Sequence, residues 1–363
     1  MIVRTVLGDI PAQDAGMTLT HEHILYAYPG ADLDHRTVFD FEAAVEKIAD
    51  ELRSATRDYG FRTLVDMTPV EVGRHPLMMR EVSRRSGMNI VAITGFFPAS
   101  IGIPYYWRRQ SVEELTEFFL RDLTQGMVFN GEATDIRAGM LKIATGQESV
   151  HPAPSPLGPN GRHITEHEER VIRAAGRAQR LIGCAVNTHT DPQDQTVTNP
   201  GLEQLDLLEE EGCDPRKVMI GHTFIEPDLK QMREILNRGA SVGVDHIGIP
   251  WRHDNAEELD EKMARTVCEL ANMGYLDRIV FAYDRWFYNP RSQVTNLDPD
   301  MPNERVTMGY LFESFLPRLE RAGFRRADLD TILVENPRRI MCFEDKPLAA
   351  EAAREAVALT TGD

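Results

Sequence analysis

Met17-Thr18-Leu19-Thr20-His21-Glu22-His23 is a run of strand-favouring residues that ends in two histidines. Its Thr and Leu content predicts a buried strand. On a strand, side chains two residues apart project to the same side. The imidazoles of His21 and His23 are therefore expected to leave one strand end together, close enough to share a metal ion. On a helix the same spacing would splay them. Two histidines so spaced are a weak signal alone; their weight comes from the strand ends downstream.

Seven more short runs rich in Val, Ile, Leu and Thr follow: Arg62–Asp66, Asn89–Thr94, Ala138–Ala144, Cys184–His189, Lys217–His222, Ser241–His246 and Arg278–Asp284. They show little surface alternation, as strands covered on both faces should. Amphipathic segments separate them. Helices are expected over Asp40–Arg57, Leu115–Gln125, Val171–Leu181, Glu226–Asn237, Ala256–Met273, Arg305–Ala322 and Asp328–Val334. Ser111 and Thr165, each with Glu three residues on, carry the capping-box spacing. Gly239 reads as a C-cap. Eight strand–helix units predict an α/β chain folded as a (β/α)8 TIM barrel. An open doubly wound sheet competes, but no strand is followed by the GxGxxG turn of its nucleotide-binding members. A short N-terminal β-hairpin (residues 1–15), the barrel (16–345) and an Ala/Glu-rich tail (346–363) make one domain. The loops Gly95–Arg109, Gln147–Arg162 and Tyr283–Asn303 follow strands and belong on the active face of a barrel.

The composition is that of a globular chain: 363 residues, 42% hydrophobic and 27% charged. A formal net charge of −17 speaks against a nucleic-acid or anionic-membrane partner. Cys184, Cys213, Cys268 and Cys342 form no CxxC pair and read as reduced thiols. No apolar leader or membrane-length run is present, so a cytoplasmic location is expected.

The strands end in chemistry. The first carries His21 and His23, the fourth Lys142, the fifth His189, the sixth His222, the seventh Asp245-His246 and the eighth Asp284. In a barrel these ends form one ring. Four of these His with one Asp would already suit Zn²⁺, Mn²⁺, Fe²⁺ or Co²⁺. Lys142 lies in an apolar strand, where an unpaired ammonium is costly. It could pair with an acid, act as a Schiff-base nucleophile, or react with CO2 to give a carbamate able to bridge two metals. Beside four His and an Asp, the carbamate comes first.

From about Gly8 to Cys342 the chain resembles the phosphotriesterase family of the amidohydrolase superfamily, phosphotriesterases and phosphotriesterase-like lactonases included. The matching stretches are Gly16–His23, Arg62–Asp66, Ile90–Gly95, Ser111–Phe119, Ile136–Thr145, Thr188–Thr190, Ile220–His222, Gly243–His246 and Asn336–Arg338. The resemblance implies two divalent metal ions, Zn²⁺ first with Mn²⁺, Fe²⁺ or Co²⁺ as alternatives. His21, His23 and Asp284 would hold the more buried ion, and His189 and His222 the more exposed one. Lys142, as N6-carboxylysine, and a hydroxide would bridge them. Asp284 would take the hydroxide's proton and deliver it to the leaving group, with His246 passing protons on. Ile225 stands where the phosphotriesterase relay has an acid, and Phe97 where the lactonases place Tyr. A homodimer and a small-molecule substrate are also implied.

Other residues get plainer readings. His35, His75, His151, His163, His167 and His253 are expected in surface or loop roles. Phe97 and Trp286 are the expected apolar walls of a substrate pocket, among loop aromatics that could otherwise simply pack. Asp66 is read as a polar cap away from the chemistry. The expected reaction is lactone or ester hydrolysis with side activity on organophosphate triesters. The alternatives are a phosphotriester or amide hydrolase with little lactonase activity, and a non-catalytic barrel that only binds.

Overall fold

The computed structural model describes residues 1–36, 40–146, 164–190, 200–250, 255–290 and 306–345. The strands are β1 (Ile2–Thr5), β2 (Gly8–Pro11), β3 (Met17–Leu25), β4 (Phe61–Asp66), β5 (Asn89–Gly95), β6 (Val128–Phe129), β7 (Glu132–Ala133), β8 (Met140–Ala144), β9 (Ala185–His189), β10 (Val218–Ile220), β11 (Ser241–Val244), β12 (Ile279–Phe281) and β13 (Arg285–Tyr288). β1 and β2 form the expected antiparallel hairpin, with Ile2 opposite Pro11 and Thr5 opposite Gly8. β6 and β7 form a second, small hairpin around Asn130-Gly131, whose positive φ angles suit a tight two-residue turn. That hairpin gave no sequence signal long enough to read as strands.

The remaining nine strands lie in one sheet, ordered β12-β11-β10-β9-β8-β5-β4-β3-β13. All its pairings are parallel, and the helices between strands cover its outer face. β12 and β13 are two pieces of one eighth strand. The first pairs with β11, Phe281 opposite Val244, and the second with β3, Trp286 opposite His23. The sheet thus closes on itself as a (β/α)8 TIM barrel.

Burial divides the strands by face. Outward residues such as Leu64, Ile90, Leu141, Val186, Ile220 and Val242 pack under the helices in the main core. Inward residues form a separate apolar layer of Val65, Val91, Ile93, Met140, Ala185, Met219 and Val280, plugged from below by Val3, Ala12, Ile340 and Met341. Moving two residues on reaches the same inward face one layer higher. Met140 gives way to Lys142, Ala185 to Asn187, and Val280 to Ala282 and then Asp284. The barrel interior is apolar at the N-terminal ends of its strands and polar at the C-terminal ends.

Helix starts follow local chemistry. Asp40 accepts the Ala43 N–H at the head of Phe41–Tyr59. Full capping boxes open Val112–Thr124 (Ser111 with Glu114), Glu166–Ile182 (Thr165 with Glu168) and Ala256–Asn272 (Asn255 with Glu258). The helix expected from Glu226 begins at Leu229, because Asp228 caps it, and its C-cap is Arg238 rather than Gly239. Helices over Pro76–Ser86 and Pro200–Glu210 were not expected. The helix expected over Asp328–Val334 lies later, as the wider π-helical segment Thr331–Glu335 continued by Asn336–Met341, with Pro337 just past the change of pitch. The expected start at Arg305, the Gln147–Arg162 loop, part of the Tyr283–Asn303 loop, His151, His163, His253 and the 346–363 tail lie outside the described residues.

Three strands stop earlier than expected. β10 ends at Ile220, β11 at Val244 and β12 at Phe281. His222, His246 and Asp284, just beyond, have φ of 60°, 64° and 56°, which no strand can continue through. Lys217, expected to begin the sixth strand, sits instead in a short 3₁₀ turn.

Candidate metal centre

The C-terminal ends of the barrel strands bring the candidate residues together. His21 and His23 leave β3 with ring centroids 5.6 Å apart. Asp284 reaches both: Oδ1 lies 2.9 Å from His23 Nε2 and 3.8 Å from His21 Nε2. Its other oxygen lies 3.0 Å from His246 Nε2. Lys142 Nζ lies 3.2 Å from His21 Nε2 and donates to Asn187 Oδ1 at 3.1 Å. His189 Nδ1 and His222 Nε2 face each other across 2.8 Å. The His222 ring is 5.3 Å from that of His21 and 5.2 Å from that of His246.

Two glycines permit this convergence. A Cβ on Gly95, at the end of β5, would fall 1.9 Å from the carbonyl oxygen of Lys142. One on Gly221, next to His222, would fall 2.4 Å from that of Thr188. Neither neighbour is a side chain that can move aside, so strand spacing at the site depends on both.

Burial dominates the electrostatics. It depresses the Lys142 ammonium to about 7, despite the carboxylates of Asp284 and Asp245. It holds His21 and His189 well below the usual imidazole range, and neighbouring cations push the same way. Burial alone would raise the Asp284 carboxyl, but hydrogen bonds with His23 and His246 and the charge of the His cluster hold it well down. The balance reverses at His246, where Asp284 outweighs burial and raises the imidazole. The cluster therefore gathers depressed imidazoles at His21 and His189, an amine whose ammonium is drawn down to about 7, and an ionised carboxylate at Asp284.

That donor set fits divalent cations. Ligand atoms of His21, His23 and Asp284 lie within 4.8 Å of one another, as do those of His222, Asp245 and His246. Imidazole nitrogens that face one another across a carboxylate are a donor set of the kind that shares a Lewis acid. His21 Nδ1, buried, has no hydrogen-bond partner among the described residues, and a ring left unsatisfied in this way marks a functional group rather than core packing.

Four supporting residues had no assigned role in the sequence reading. Asp245 accepts the His222 N–H and lies beside its ring. Asn187 takes the Lys142 amine. Thr68 Oγ1 lies 2.9 Å from His23 Nδ1. Asp66 corrects an expectation: it is buried at the C-terminal end of β4, and accepts the N–H groups of Ile24 at 3.0 Å and Thr68 at 2.8 Å. It sits on the side of the chemistry, one residue removed from His23. Adjacency to a ligand strand was the only signal available for it.

Above the polar layer lies a small apolar cluster of Tyr26, Val72, Phe97 and Ala144, with Trp286 packed against it. Trp286 stacks on Tyr26 at 3.9 Å between ring centroids, and the Tyr26 ring meets that of His23 edge-on. Phe97 meets the His189 ring edge-on at 4.9 Å. The neighbouring Phe96 instead packs into the main core with Trp107 and Phe118, and Tyr105 and Tyr106 are exposed. Ile225 is buried in the core, so that position supplies no acid to the site. His75 caps a helix, His35 is exposed, and His167 lies against Arg170.

The phosphotriesterase family model matches residues 1–341. The aryldialkylphosphatase of Saccharolobus solfataricus is 28% identical over 91% of this chain and 96% of its own. The phospho-furanose lactonase of Mycoplasmopsis agalactiae is 26% identical over 97% of this chain and 94% of its own. Among solved structures, a triple mutant of an organophosphorus hydrolase from Deinococcus radiodurans superimposes with a TM-score of 0.80 at 29% identity, covering 94% of this chain and 98% of that one.

Proposed function

Since this chain belongs to the phosphotriesterase family, we propose that it is a binuclear metal-dependent hydrolase of lactones or other esters, with side activity on organophosphate triesters. The coarser statement, an ester-hydrolysing enzyme, follows from relatives named as hydrolases of phosphotriesters and lactones. The finer one is supported by a single observation: the Asp284 carboxylate spans His23 on one side and His246 on the other, within a ring of buried histidines and a buried lysine.

His21, His23 and Asp284 would hold one cation, and His189 and His222 the other. The Lys142 amine, poised near its own pKa, would add CO2 and lose a proton to give the shared carboxylate ligand. Bound cations would supply two things: water acidic enough to attack near neutral pH, and polarisation of the scissile carbonyl or phosphoryl oxygen. Asp284 accepts the attacking water's proton at the oxygen facing the reaction and gives it to the leaving oxygen. His246, hydrogen-bonded to the other oxygen, keeps that carboxylate oriented and shares its proton. Phe97, Trp286 and Tyr26 exclude water and offer an apolar wall to an acyl chain. Zn²⁺ as the metal, a homodimer and a cytoplasmic setting belong to the same proposal. Among the described residues no helix is long and apolar enough to cross a membrane.

A screen of long-chain acyl lactones, short γ-lactones, aryl esters and aryl phosphotriesters on metal-reconstituted protein tests the reading, with Asp284→Asn as the blank. Lactone turnover that falls about 10²–10⁴-fold in the blank is expected. Triester turnover without lactone turnover would favour the phosphotriesterase alternative, which the Saccharolobus relative's name also supports. A chain that takes up no metal and turns over nothing would be a binding protein.

A further inference from the structure

Glu22 lies between the two histidines of the first strand, yet points away from the cluster they build. Its carboxylate is fully buried. Oε1 accepts the N–H of Tyr283 at 2.7 Å, and Oε2 accepts the N–H of Arg285 at 2.8 Å. Between them the N–H of Asp284 donates to the His21 carbonyl at 2.9 Å. Three successive amides, at the point where the eighth strand breaks into β12 and β13, are thus all held by β3.

Ordinary packing does not account for an acid here. Burying a carboxylate is costly unless it is well bonded, and desolvation drives this one well above the usual range against only the two amides and the Arg285 charge. The break creates the need. Asp284 has a φ of 56°, so the strand cannot continue its ladder through this residue, and the N–H groups on either side would be left buried and unpaired. Only a side chain with two acceptors at fixed separation satisfies both. A left-handed residue persists where its surroundings over-determine it, and here the surroundings are this clamp.

We propose that Glu22 is a positioning residue: by gripping the amides on both sides of Asp284, it aims the Asp284 carboxylate between His23 and His246. This deepens the hydrolase reading and rests on it for its kinetic readout. The clamp also sets the seam of the barrel, since the same carboxylate joins β3 to the break at Tyr283 and to the first residue of β13.

Glu22→Gln tests it, since the amide keeps the volume but offers one acceptor and one donor to two N–H groups. Backbone hydrogen exchange, chelator competition for bound Zn²⁺, and kcat, KM and the pH–rate profile are read on the same full-length preparations. The expected result is lost exchange protection at Tyr283 and Arg285, a 10–100-fold loss in affinity for the tighter Zn²⁺, and a kcat at least tenfold lower. KM should stay within about threefold while the acid limb of the profile moves. A lower melting temperature with kcat, Zn²⁺ affinity and pH profile unchanged would overturn the proposal, leaving Glu22 as a seam residue only. Should Glu22→Gln fail to fold, Glu22→Asp, which keeps both oxygens on a shorter arm, is read by the same measurements against the same criteria. A wild-type chain that binds Zn²⁺ but hydrolyses nothing would overturn the hydrolase reading, whereas the exchange and affinity data would still decide for or against the clamp.

Discussion

Asp245 accepts the backbone N–H of His222 at 2.9 Å and brings its second oxygen to 3.1 Å from Nδ1 of the same ring. One carboxylate therefore holds the left-handed backbone of this histidine and lies against its ring. It also lies 3.9 Å from His21 Nδ1, on the far side of the cluster. Asp245→Asn should fold but weaken retention of metal by about 10–100-fold. Metal content after dialysis against a graded chelator series checks this; full retention would leave Asp245 with a backbone role alone.

Lys142 offers a pH signature of its own. Burial lowers its ammonium from 10.5 to about 7 in the folded, metal-free chain. Between those values the unfolded chain binds more protons than the native one, so stability should rise as pH climbs from about 7 toward 10. Lys142→Met should flatten that rise in urea midpoints of the apo-protein. The depressed ammonium also predicts that CO2-free buffer slows metal uptake by the wild type, and that bicarbonate restores it. Equal uptake rates in both buffers would count against a carbamate.

His246 should matter less than Asp284. Its Nε2 bonds the Asp284 carboxylate, but the core residue Ile225 offers no acid to carry a proton further. His246→Asn is expected to lower kcat about tenfold, well short of the loss in Asp284→Asn. Equal losses in the two variants would mean that the pair works as one unit.

Asp260 gives a stability test away from the chemistry. It is buried, accepts the Gly248 N–H at 3.0 Å and the Tyr310 hydroxyl at 2.8 Å, and so ties down the turn after His246. Burial raises its carboxyl from 3.8 to about 6. In that window the native chain holds a proton the unfolded chain has lost, so this group's contribution to stability falls as pH rises from about 4 to 6. Asp260→Asn should remove that slope from a series of denaturant midpoints, and an unchanged slope would assign it elsewhere.

Trp286→Ala should act on specificity. The ring stacks on Tyr26, whose own ring meets that of His23 edge-on. Its loss should raise KM for long-chain acyl substrates about tenfold and leave short lactones nearly unchanged. Parallel losses for both classes would point to collapse of the Tyr26 contact with His23 instead.

How much of this could be read without coordinates depends on where the determining forces lie. The barrel strands were legible because burial on both faces leaves continuous apolar runs, and the boxes at Ser111 and Thr165 because a cap is local. The helix at Pro76–Ser86 escaped because its cap is a histidine, His75, which accepts the Met78 N–H in place of the usual hydroxyl or carboxylate. The convergence of His21, His23, Lys142, His189, His222 and Asp284 followed from strand-end positions. The break in the eighth strand did not, because Asp284 resembles any other strand-terminal acid until Glu22 is seen across the seam. Asp66 was misjudged for a similar reason: its partners come from neighbouring segments, and adjacency between barrel strands is a tertiary fact.

The left-handed backbone at His222, His246 and Asp284 limits how this scaffold can be re-engineered. A library randomising those three codons would be filtered by conformation before chemistry. Asn and Gly should be recovered well, and Val and Ile scarcely at all, because branched side chains clash there. New activities are more readily sought at Phe97 and Trp286, whose backbones are not in that region.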